Sequence, residues 1–185
     1  MFILYAIPVG LAAGAILGGR LAALATIRIR LGWLAVAALV AQVILFSPVA
    51  GGLDDAVARP IYVASTGAVV LVVLANIRLT GMPIVLAGAL SNLAAILANG
   101  GAMPADPGAL AAAGIRITGA SNSVVTDEPA LAALTDRFAT PGWLPFANVF
   151  SIGDVLIAIG TAVVIAAAMR GGSHDTPKRG NAAAR

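Results

Sequence analysis

Five long apolar runs divide the chain, each closed by glycine, proline or a charged residue. They cover residues 2–18, 31–49, 61–77, 84–99 and 151–169. Each approaches the ~20 residues that an α-helix needs to cross a bilayer core. The pattern predicts an all-α, polytopic membrane helix bundle of about five transmembrane helices. A short-helix extracytoplasmic cap, residues 105–149, is expected between the fourth and fifth.

The ends of the runs refine this reading. Nothing basic precedes the first run and Arg20 follows it, which is the reverse of a secretory signal, so it reads as a retained span. Gly10, Gly14 and Gly18 are spaced four apart, which lets helix backbones approach closely, within the bundle or in a homodimer. Leu21 to Arg30 reads as a basic connection on the membrane surface, with Leu21, Leu24 and Ile27 toward lipid. Gly51 to Asp55 reads as an outer loop closed by Arg59-Pro60. In the fourth run Gly88, Asn92 and Asn99 form a small, polar stripe expected to face protein. That run stops at Asn99-Gly100-Gly101-Ala102-Met103-Pro104, where asparagine and glycine accept left-handed backbone and proline forbids continuation.

Within the cap, Asp106-Pro107 opens a short helix that Gly114 ends. Thr126-Asp127-Glu128-Pro129 predicts a second helix carrying Leu131, Leu134 and Phe138 as its apolar stripe. Trp143 and Phe146 return the chain at headgroup level. Residues 171–185 read as a disordered cytoplasmic tail.

Composition agrees: 60% of residues are hydrophobic and 10% charged, too few charges to cover a water-soluble surface. Mean hydropathy is +0.99. Of the 11 basic residues, eight fall on one side of the spans (Arg20, Arg28, Arg30, Arg78, Arg170, Lys178, Arg179, Arg185) and three on the other (Arg59, Arg116, Arg137). The positive-inside rule then places the N-terminus outside and the C-terminus in the cytoplasm of a bacterial cytoplasmic membrane. The basic excess marks a face near anionic lipid and argues against a nucleic-acid groove.

The absences narrow the chemistry. There is no cysteine, and the single histidine, His174, and single lysine, Lys178, lie in the tail. A serine hydrolase has no base within reach, and metal and cofactor sites have no ligand set. Asp154 is the one ionisable residue inside a long apolar run. Ser151-Ile152-Gly153-Asp154 fits a capping box, with serine at the helix start and an acid three residues on. The alternative is an intramembrane carboxylate in a proton or substrate path. A polar knot is expected in which Asn99 or an outer arginine bonds that carboxylate. Asn92 and Asn99 read as interhelical hydrogen-bonding glue, and Asp136-Arg137 as a solvated pair.

Three motifs carry a resemblance: Asn99-Gly100-Gly101-Ala102-Met103-Pro104, the segment Thr126 to Arg137, and Val149-Phe150-Ser151-Ile152-Gly153-Asp154 continuing to Gly160. Together they resemble the bacterial family called domain of unknown function 5317. The resemblance implies a bacterial membrane protein of roughly five spans. It groups Asn99, Gly100, Gly101, Met103, Pro104, Ser151, Gly153 and Asp154 as one outer-face constellation, to which Asn92, Asp136 and Arg137 are added as polar candidates. The favoured function is a non-enzymatic accessory or scaffold component of the membrane, with the bilayer, a second copy or another membrane protein as partner. A small oligomeric transporter or channel is one alternative. An enzyme acting on a lipid or isoprenoid at the outer face is the other.

Overall fold

A computed structural model describes residues 2–47, 53–115, 123–126, 128–145 and 147–171. The expected tail beyond 171, with His174 and Lys178, and the residues Arg116, Asp127 and Phe146 lie outside the described residues. The chain is mostly helical, with short two-residue strands in the cap.

The helices are α1 (Ala6–Ile16, led in by a 3-10 turn at Phe2–Tyr5), α2 (Gly32–Leu45), α3 (Asp55–Ala75), α4 (Met82–Ala98), α5 (Pro107–Ala113) and α6 (Ile152–Gly171). The longer ones form a row in the order α2, α3, α4, α6, α1. The last helix therefore sits between the first and the fourth, and glycine makes both contacts possible. Gly81 and Gly88 of the fourth-helix segment face Gly160 and Gly153 in antiparallel register. A Cβ at Gly160 would lie 2.6 Å from Val85 Cγ2 and 2.7 Å from the Val85 amide nitrogen, so there is no room for a side chain there. On the other side, a Cβ at Gly10 would lie 2.9 Å from the Ala162 carbonyl, and Gly14 lies against Met169. Gly10 and Gly14 thus serve packing within the bundle. Gly18 has open space around it and a φ of 77°. It ends α1 instead, in the left-handed conformation that glycine adopts at no steric cost.

Because α1 and α2 lie at opposite edges of the row, the chain must pass from one to the other across one end of the bundle. It does so in a strap. Arg20 donates its amide to the Met169 carbonyl (2.9 Å), a 3-10 turn at Leu21–Thr26 passes by α6, and Asn76 clamps the far end. Asn76 accepts from the Arg30 amide (2.8 Å) and donates to the carbonyls of Arg30 (2.8 Å) and Val72 (2.7 Å).

At the opposite end lies the cap. Met103–Pro104 (β1) pairs in parallel with Ser123–Val124 (β2), and Phe138–Ala139 (β3) pairs antiparallel with Val149–Phe150 (β4). The α5 helix forms as expected, with Asp106 accepting from the Ala109 amide and Gly114 at φ 70° closing it. Ala105, Ala109, Leu110, Ala113 and Val149 make the core of the cap. Phe138, Phe150 and Phe2 stack in sequence and tie it to the start of the chain.

Two expectations need correction. The third helix starts at Asp55, not at Ile61, and takes in Arg59-Pro60. Asp54 explains this, because its carboxylate accepts from the Ala56 amide (2.8 Å). Asp55 adds a negative charge in the first turn, where the helix dipole favours it. Proline so near a helix start removes one bond without ending the helix. The second cap helix does not form. Thr126 is in no helix, Leu131 has φ 52°, and only a 3-10 turn at Ala132–Leu134 follows. Asn99 takes both the amide and the carbonyl of Ala130 (2.9 Å each), so the carbonyl is committed and the next residue turns left-handed. Leu134 instead packs on Ala95, Ile96 and Met103.

The glycine register carries a prediction. Gly160→Ala should destabilise the protein by ~1–3 kcal/mol through overpacking. Gly67→Ala, with nothing within 4 Å, should be neutral or stabilising. Thermal unfolding in detergent measures both. Equal losses would break the account of α4 against α6.

Candidate functional site

The first turn of α6 abuts α4 where Gly88 and Gly153 meet, and three polar side chains gather there. Ser151 and Asp154 form the expected capping box. The Asp154 amide donates to Ser151 Oγ (3.1 Å), and the Ser151 amide donates to Asp154 Oδ2 (3.1 Å). Asn92 closes the arrangement across the helix interface, donating Nδ2 to Asp154 Oδ1 (2.8 Å) while its Oδ1 accepts from Ser151 Oγ (2.8 Å). The four bonds form a ring in which each group has its complement. Reversing the asparagine amide would set an oxygen against a carboxylate, so the ring fixes its orientation. Ser151 is fully buried, and a side chain at Gly153 would run into Asn92.

Asn99 or an outer arginine was expected to bond Asp154, and neither Asn99 nor a described arginine does. Asn99 staples the cap instead, holding Ala130 by two bonds and its own helix by a third to the Ala95 carbonyl (2.8 Å). Gly100 and Gly101, at φ 69° and 88°, turn the chain out of α4. Arg59 lies over that turn, donating to the Gly100 carbonyl (3.2 Å) and pairing with Asp55 (2.7 Å). Met103 and Pro104 are buried beneath the cap.

Asp136 and Arg137 do not form a solvated pair. The backbone of Asp136 bridges to the β1 strand, donating to the Pro104 carbonyl (3.0 Å) and accepting from the Asp106 amide (2.9 Å). That places its side chain inside, at 5% exposure, while Arg137 points outward beside Asp106 and Thr126 along a surface cleft of about 320 Å³. Asp136 makes no side-chain hydrogen bond or ion pair among the described residues. Burial, and secondarily the charge of Asp154, push its pKa from 3.8 up to about 7. Sequence reasoning placed Asp136 and Asp154 at the same end but coupled neither to the other; the fold brings the two within electrostatic reach. Nothing in the spacing signals that, because Asp136 and Asp154 belong to different segments and meet only through the tertiary fold.

Sequence reasoning assigned Asn76 no role, though asparagine at a helix end is a recognisable stop signal. Gln42 bridges α2 to Ser65 (3.1 Å) and Thr66 (3.4 Å) of α3. No group of three or more His, Cys, Asp or Glu residues that could hold a metal occurs among the described residues.

The fold and the site define a small bundle of apolar helices, two of them long and apolar enough to cross a membrane, closed at one end by a cap over an interlocked polar ring. The chain belongs to the family of unknown function DUF5317, whose model matches residues 26–166, from the strap into α6. No curated protein and no solved structure matches it.

The ring and the staple should respond differently to mutation. Asn92→Leu strands a carboxylate oxygen and a buried hydroxyl and should cost ~1–3 kcal/mol. Asn99→Leu should expose residues 128–135 to protease while leaving the start of α6 intact. Limited proteolysis and thermal unfolding separate the two, and identical behaviour would dissolve the distinction.

For Asp136 the sign is that of an acid with a raised pKa: the folded protein holds the proton more tightly than the unfolded one. Stability from this group is full below pH 3.8 and declines as pH rises, levelling above about 7. Asp136→Asn should flatten that slope in melting curves across pH. Parallel curves for variant and wild type would contradict it.

Proposed function

We propose that the protein is a multi-pass membrane component with a structural or accessory role, its cap on the extracytoplasmic side. The observation that carries the reading is where its polar side chains point. Gln42, Asn76, Asn92 and Asn99 are all engaged in bonds within the bundle and its cap. Large apolar side chains face outward instead, among them Ile7, Val36, Val43, Leu71, Leu90 and Ile159. Outward apolar faces suit hydrocarbon, where helices associate through small residues and a few interhelical hydrogen bonds. A transport path would need polar groups free to meet a solute, and these are bonded to one another.

The lengths are compatible with spanning. α3 and α6 pass on length and apolarity alone. At 1.5 Å per residue, α4 extends about 26 Å and α2 about 21 Å. Flanking residues and local thinning accommodate such shortfalls at modest cost. Among the described residues, Arg20, Arg28, Arg30, Arg78 and Arg170 lie at the strap end, and Arg59 and Arg137 at the cap end with all the described acids. That asymmetry supports a cytoplasmic strap and an outer cap. Trp143 is 81% exposed. An indole standing out from the cap suits the outer headgroup region.

The test combines insertion, topology and association. The protein should resist alkaline extraction from membranes. Thr126→Cys should react with an impermeant maleimide in intact cells and Thr80→Cys should not; the reverse would invert the orientation. Purification from native membrane should yield a stoichiometric protein partner. Recovery of the protein alone, with proton-coupled solute uptake after reconstitution that Asp136→Asn abolishes, would replace this reading with transport.

A further inference from the structure

The strap leaves a cleft of about 280 Å³ between itself, the α3–α4 turn and the last turns of α6, walled by Ala23, Ile27, Leu79, Val164, Ala167 and Ala168. Three chain segments that meet there each place an arginine within one or two residues of the wall: Arg28 beside Ile27, Arg78 beside Leu79, and Arg170 two residues after Ala168. The Asn76 clamp holds the strap at Arg30 against the end of α3, which keeps Arg28 and Arg78 on neighbouring segments. All three arginines are exposed, and none has an ion pair among the described residues. The described acids all lie at the other end of the bundle.

We propose that this cleft is a binding site for one anionic phospholipid, a proposal that rests on the membrane reading above. The guanidinium groups of Arg28, Arg78 and Arg170 receive the phosphate, and the apolar walls receive the first carbons of an acyl chain. Arginine suits the first task, since its planar donors match phosphate oxygens in pairs. The second explains why the ligand is a lipid and not a free phosphate: Ile27, Leu79 and Val164 offer a small anion nothing. With no acid at this end among the described residues to neutralise the arginines, a zwitterionic headgroup gains less than an anionic one.

The experiment uses the full-length protein purified in a neutral detergent, delipidated, and titrated with phosphatidylglycerol, phosphatidylcholine or glycerol phosphate while binding is followed by native mass spectrometry. Wild type should bind one phosphatidylglycerol about tenfold more tightly than phosphatidylcholine, a difference of about 1.4 kcal/mol. The triple variant Arg28→Gln, Arg78→Gln, Arg170→Gln should lose that preference at unchanged melting temperature without lipid. Ala167→Leu, which fills the cleft and keeps the charges, should weaken both lipids several-fold. Equal binding of the two lipids by wild type would overturn the proposal, as would a preference surviving in the triple variant. Glycerol phosphate displacing the lipid at equal concentration would reassign the site to a soluble anion. Indifference to Ala167→Leu would reduce it to diffuse surface charge. If the triple variant does not fold, the wild-type lipid ranking together with Ala167→Leu decides the matter. Failure of the membrane reading shows separately, as release of the protein by alkaline extraction.

Discussion

The contact on which the other features depend is the one between the backbones of α4 and α6. Gly81 and Gly88 on one segment meet Gly160 and Gly153 on the other with the same spacing. They remove the side chains that would otherwise hold the helix axes roughly 8–10 Å apart. At that closeness Asn92 reaches the first turn of the opposite helix and completes the hydrogen-bonded ring. The same approach sets the end of α6 beside the α3–α4 turn, where the strap can be tied to Met169. Glycine in a helix costs up to ~1 kcal/mol against alanine. That cost is offset by a backbone contact and a buried polar ring that no larger residue permits.

Polar groups in this protein are governed by reach. An unsatisfied amide or hydroxyl in apolar surroundings costs several kcal/mol, so Gln42, Asn76, Asn92 and Asn99 all bond inside the protein. Ser91 Oγ is buried without a hydrogen-bond partner among the described residues. Asp136 departs from the rule in a different way. Its backbone is bound tightly while its carboxyl has no hydrogen bond among the described residues, and burial, with the charge of Asp154 second, raises its pKa to about 7. A carboxyl whose charge changes near neutral pH, beside the Asp154 ring, is the element at this end that can respond to its surroundings.

Much of this was legible along the chain. Apolar runs located the helices because a segment that is apolar all round has few other solutions. The capping box at Ser151 and the Asp106 and Gly114 signals worked because they are local, with donor and acceptor close in sequence. One failure was local and the others were not. Arg59-Pro60 looked like a boundary until Asp54 was seen to start the helix before it. The acids and proline at Glu128-Pro129 promised a helix, but a bond from Asn99, far back in the chain, took the Ala130 carbonyl a helix would have used. Asn92 and Asn99 lie along the same helix and its end, and the sequence reading gave both the same interhelical role, with Asn99 named for the Asp154 carboxylate. Only the crossing point of α4 and α6 decides which one meets Asp154.

The placement of charge shows which of two demands prevailed. Helix starts favour acids, and three have them at the cap end: Asp54 and Asp55 at α3, Asp106 at α5, and Asp154 in α6. Helix ends favour bases, and Arg170 stands in the last turn of α6, while Arg78 and Arg20 follow the ends of α3 and α1 by a few residues. Local capping and overall polarity agree at all these positions and cannot be told apart there. They conflict at the strap end, where α2 and α4 begin. An acid or a hydroxyl at those starts would contribute ~1 kcal/mol each. The chain instead has Leu31 and Gly81, both with left-handed backbone and neither giving a side-chain cap. Two helix starts are left without capping side chains, and the strap end keeps its arginines without an acid among the described residues. Where the local and the global requirement diverge, the fold keeps the charge asymmetry.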